Sequence, residues 1–123
     1  MADGIEPRPM DGYIYGAFGS THHANITEWE IADFIQIGRV VIIKLSFVVG
    51  TAITDSNAVL FSGLPKSIVI TRFRIIPATL SNIPLLRLAI DTNGNIVNQW
   101  TAIDGVQGIS VGRYEGEGVY ICQ

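Results

Sequence analysis

Between Val40 and Val49 a large apolar residue recurs at every second position: Val41, Ile43, Leu45, Phe47 and Val49. Successive side chains of a strand point to opposite faces. The run therefore predicts a strand over 40–49 with one unbroken core face. Its other face carries Val40, Ile42 and Val48 beside Lys44 and Ser46. An antiparallel strand with one side in water is polar on that side. A half-apolar second face predicts contact with another chain, with cover by a loop of the same subunit as the alternative.

The rest of the chain follows the same period. Short runs of Val, Ile, Thr and aromatic residues, bounded by Gly, Asn, Asp, Ser and Pro, predict further strands near 26–31, 34–37, 57–61, 68–76, 85–91, 95–101, 107–112 and 118–123. No long window has a capped helical stripe, so the fold class predicted is all-β, an antiparallel sandwich. Asn93-Gly94 predicts a two-residue hairpin of type I′, which needs positive φ at both positions. Arg72 and Arg74 share one face of the 68–76 strand, opposite Val69, Phe73 and Ile75.

Residues 1–24 read differently. Pro7, Pro9 and four glycines break them up, while Tyr13, Ile14, Tyr15 and Phe18 are too apolar for a free tail. The expectation is an N-terminal arm over 1–24, packed on a neighbouring subunit or a larger assembly, and one domain over 25–123.

Composition excludes several partners. With 8 basic and 11 acidic residues and a pI near 5.2, there is no basic stripe for a nucleic-acid backbone. No apolar run approaches the roughly 20 residues that span a bilayer as a helix, so no membrane insertion is expected. The N-terminus shows no basic region followed by an apolar run. A single cysteine, Cys122, rules out an intrachain disulfide. Charged residues make up only 15% of the chain, which for so short a protein points to surface hidden between subunits.

Chemistry-bearing patterns are sparse. His22-His23 on an extended chain point to opposite sides and make a poor metal site. Asp91-Thr92-Asn93-Gly94-Asn95 starts like a calcium loop but has no glutamate at the twelfth position. Ser62 lies outside any nucleophile elbow. Glu28 and Glu30 share a strand face, as solvated carboxylates commonly do. Gly112 to Gly118 is glycine-rich, but it precedes a strand, not a helix, and reads as a loop. No catalytic residue, metal or cofactor is expected. What remains is a set suited to recognition, in which aromatic faces stack on sugar C–H patches and polar groups bond hydroxyls. Its candidates are Trp100, Asp104, Gln107, Arg113 and Tyr114, with Trp29 and Tyr120 as further aromatics.

One stretch adds a resemblance. Leu60-Phe61-Ser62-Gly63-Leu64-Pro65-Lys66 runs from a strand end into a Gly/Pro turn and a cation. It lies between the 40–49 strand and the Asn93-Gly94 hairpin, and the chain closes on Gly118-Val119-Tyr120-Ile121-Cys122-Gln123. This order resembles the receptor-binding head or tip domains of tailed-bacteriophage tail fibres and baseplates, over about residues 25–123. The resemblance implies a jelly-roll-like sandwich, a homotrimer and a place on the virion. It also implies a bacterial cell-wall or surface polysaccharide as receptor, and other tail or baseplate proteins as partners of the arm. Receptor sites in that family vary, so none carries over to a residue here. Family members usually have a long upstream fibre, whereas here only the arm precedes the domain, which leaves a fragment or a compact stand-alone protein. The rival expectation is a virion structural or decoration protein with no receptor.

Overall fold

The computed structural model describes residues 13–55, 57–77, 86–99 and 109–123. Among them there is no helix. Eight strands form one curled antiparallel sheet: β1 (Tyr13–Ala17), β2 (Ile26–Ile37), β3 (Val40–Val49), β4 (Val59–Phe61), β5 (Thr71–Pro77), β6 (Leu86–Ile90), β7 (Ile96–Asn98) and β8 (Gly112–Ile121). Their spatial order is β1-β2-β3-β8-β5-β6-β7-β4.

The alternation in β3 sets the two sides of the sheet. Val41, Ile43, Leu45, Phe47 and Val49 are all buried on the concave side, as the sequence predicts. Phe47 meets Phe61 of β4 edge-on, with ring centroids 5.4 Å apart. Those two strands stand at positions three and eight of the sheet. Only a strongly curled sheet brings them together, and the driving term is apolar burial on its inner face. Leu60, Leu88, Ile90, Ile96 and Ile109 are among the other residues of this core.

The segment expected to be an arm is, from Tyr13 onward, part of the sheet. β1 pairs with the second half of β2, from Tyr13↔Ile37 to Ala17↔Asp33. The chain then crosses to the far edge. Gly19 N–H donates to Ser62 O, Ser62 N–H to Thr21 O, and His23 N–H to Leu60 O. Residues 19–23 thus bridge β1 to β4. Phe18 is buried against Phe61 at 5.9 Å. Glycine density hid this strand from a composition reading, although Gly16 has a packing role. A Cβ there would come within 2.6 Å of the Phe34 ring.

Two expected strands, 26–31 and 34–37, are one continuous β2 with register shifts between Ile26 and Glu28 and between Trp29 and Ile31. The glycine-rich stretch expected as a loop lies within β8. Its glycines mark close approach of neighbouring strands. A Cβ on Gly116 would lie 3.0 Å from Ile75, and one on Gly118 would press on Phe73 and Ile43.

The hairpin between β6 and β7 is present, but its turn differs from type I′. Gly94 has φ +81°, while Asn93 has no positive φ. Asp91 explains this. Its Oδ1 accepts from the backbone N–H of both Asn93 and Asn95, each at 2.9 Å. Asp91 N–H donates to Asn95 O and Gly94 N–H to Asp91 O. This is a three-residue loop with one left-handed glycine. The Leu64-Pro65-Lys66 turn docks on it, through Leu64 N–H to Gly94 O at 3.1 Å. Tyr120 Oη fastens the same turn by donating to Pro65 O.

Candidate binding face on the convex side of the sheet

The convex side can be read from the strand registers. Tyr15, Ile35, Ile42 and Val119 align across β1, β2, β3 and β8, and next to them lie Tyr13, Ile37, Val40 and Ile121. These two rows are apolar apart from the tyrosine hydroxyls. On the other side of the Tyr15 row the next row is charged and alternates in sign: Asp33, Lys44, Glu117. Opposite charges in register across strands support one another.

Between the Tyr15 row and the charged row lies a slot of about 140 Å³, lined by Tyr15, Asp33, Phe34, Ile35, Ile42 and Lys44. The Tyr15 hydroxyl donates to Asp33 Oδ2 at 3.2 Å. That bond to the carboxylate, together with its negative charge, raises the Tyr15 pKa and keeps the phenol protonated. Tyr15 is 58% exposed, so its surface is available to a ligand. An apolar floor, one aromatic ring, one acceptor carboxylate and one donor ammonium make up the usual chemistry of a small polar-ligand site. A wider depression lies where β5 adjoins β8, lined by Arg74, Ile76, Glu115, Gly116 and Glu117.

Of the residues that the sequence singled out, the described ones do not gather into one site. Trp100, Asp104 and Gln107 lie outside the described residues. Tyr114 belongs to the core: it is fully buried, packs on Phe47 at 5.7 Å and donates its hydroxyl to Ser110 O at 2.7 Å. It therefore presents no face to a ligand, because β8 is a strand and residue 114 falls on its concave side. Tyr120 is buried on the same side. Arg113 does reach the convex surface, where it pairs with Glu28 Oε1 at 3.3 Å and with Glu30. Its guanidinium is thus occupied by the two carboxylates.

Trp29 is partly exposed, with the His22 ring tilted against it at 4.4 Å. His22 Nδ1 donates to His23 O, and His23 Nδ1 accepts from Asn25 N–H. Both imidazoles are thus engaged locally, and no group of metal-ligating residues occurs among the described residues.

Tyr15, Asp33 and Lys44 were missed as a group because they belong to three different strands. Lys44 was the one visible signal, a cation inside an otherwise apolar run. Compared with known proteins, the chain matches no family model and no curated protein.

Proposed function

We propose that this chain is a non-catalytic attachment module of a phage tail tip or baseplate, which recognises a bacterial surface saccharide and acts as a homotrimer of jelly-roll-like domains. The observation that carries the reading is the slot at Tyr15, Asp33 and Lys44. A pyranose ring offers a C–H face to the phenol and hydroxyls to the carboxylate and the ammonium. An open, shallow site of this kind binds weakly, and several copies on one particle raise the avidity without new contacts. The curled sheet over a single core is compatible with a jelly-roll-like sandwich. The order of strands and turns that resembles phage head domains supports the same reading.

The test is a glycan array probed with purified protein, followed by competition against phage adsorption. Wild-type protein should bind wall or surface polysaccharide of one bacterial host, and Tyr15→Ala should lose that binding while keeping its circular dichroism spectrum. If the folded protein binds no bacterial glycan and does not compete with phage, this reading fails. The second reading, a virion structural or decoration protein, then stands. It is favoured by the apolar rows beside the slot, which serve assembly and need no receptor.

A further inference from the structure

We infer that a second copy of this chain packs on the convex patch formed by Ile37, Val40, Val119 and Ile121, extended by Ile68. This deepens the proposed function by naming the face through which copies meet.

The patch is contiguous. Ile37, Val40 and Ile121 are register partners across β2, β3 and β8, and Val119 lies one step along β8 on the same side. Ile68 N–H donates to Ile121 O. The neighbouring pair Ser67 and Cys122 is buried while Ile68 and Ile121 are exposed, which places the two isoleucines together on the convex side.

Exposure is large for such residues: 50% for Ile37, 38% for Val40, 44% for Ile68, 57% for Val119 and 41% for Ile121. Together they present apolar surface on the order of 400 Å², within the range of the largest patch on a monomer (about 300–600 Å²), which is commonly functional. A standard interface buries about 800 Å² per partner, a little over half of it apolar. The patch therefore supplies about the apolar share of one such interface.

Charge selects the occupant. A strongly basic or acidic partner, or an anionic lipid surface, calls for a border of one sign. Here the border is of mixed sign: Asp33, Lys44 and Glu117 alternate along one side, and Arg39, bonded to Cys122 O, stands at the other. A border of mixed sign suits a partner that carries the same mixture, and another copy does. The slot at Tyr15 lies on the β1 side of the patch, so self-contact centred on β3 and β8 leaves that ring at the rim.

Light scattering on purified protein at micromolar concentration tests the inference. The expected mass is a multiple of 13.4 kDa, and Val119→Lys with Ile121→Lys should return it to that single-chain value. Ile76→Lys, the same change at an equally exposed residue outside the patch, should leave the oligomer intact. A wild-type monomer, or an oligomer that survives the double lysine variant, overturns the inference. If the double variant does not fold, a spin label on Val119→Cys gives the answer. Dipolar broadening between labels supports contact at this face, and its absence refutes it. An oligomer dissolved by the lysines with no glycan binding at any stage supports this interface while overturning the receptor reading.

Discussion

Tyr15 Oη and Asp33 Oδ2, 3.2 Å apart, tie the edge strand β1 to β2 and place an aromatic ring at the mouth of the convex slot. The bond is exposed, so its effect on stability is small and its effect on recognition is the larger one. Tyr15→Phe should leave the unfolding free energy nearly unchanged, as surface substitutions do. In a glycan-binding assay it should retain ring stacking and bind more weakly than wild type but more strongly than Tyr15→Ala. Equal binding by Phe, Ala and wild type would remove Tyr15 from the site.

Removing the N-terminal residues through Phe18 should unfold the domain. The truncation deletes β1 and a buried ring that packs edge-on against Phe61. Phe18→Ala alone should cost about 3–5 kcal/mol, the usual range for a buried phenylalanine. Chemical denaturation of both variants measures this. A truncated chain with wild-type stability would restore the view of residues 1–24 as a detachable arm.

At Gly94 two constraints coincide. Its φ is +81°, and a Cβ would come 2.2 Å from Leu64 O. Gly94→Ala should therefore lower stability by well over the roughly 1 kcal/mol that a left-handed position alone imposes, because the Leu64-Pro65 turn must also move. The melting temperature should fall by more than for Asp91→Ala, which removes only the loop's side-chain acceptor. The reverse order would mean that the turn does not dock as described.

Burial raises the pKa of both Tyr114 and Tyr120, and Tyr120 is displaced far upward. Their folded values exceed the unfolded value near 10, so above that pH the unfolded chain has released protons that the fold retains. The stabilisation is complete below about pH 10 and is lost as pH rises through the folded values. Ultraviolet difference titration should show phenols that ionise only as near-ultraviolet circular dichroism collapses. Ionisation of every tyrosine near pH 10 with the fold intact would contradict the buried positions.

Local patterns in the sequence were enough for β3, the all-β class and the existence of the β6–β7 hairpin. Alternation and turn chemistry act over a few residues, and the Val41 to Val49 face contains its own period. The turn type was not legible, since the choice between two positive-φ residues and one rests on the Asp91 carboxylate capping two backbone amides. Nor was β8, whose glycines look like a loop until Ile75, Phe73 and Ile43 are seen to occupy the space a Cβ would need.

The sequence by itself thus determined which residues could line a core and where the chain must turn. Only the tertiary structure decided what shares a surface. The curl of the sheet buried Tyr114 beside Phe47, fastened Arg113 to Glu28 and Glu30, and drew Phe18 inward. It set Tyr15, Asp33 and Lys44 around one slot although they lie on three strands. The physical reason is the length scale: alternation is a property of neighbours along the chain, whereas a site depends on register between strands. That register is fixed by burial of the whole concave face at once.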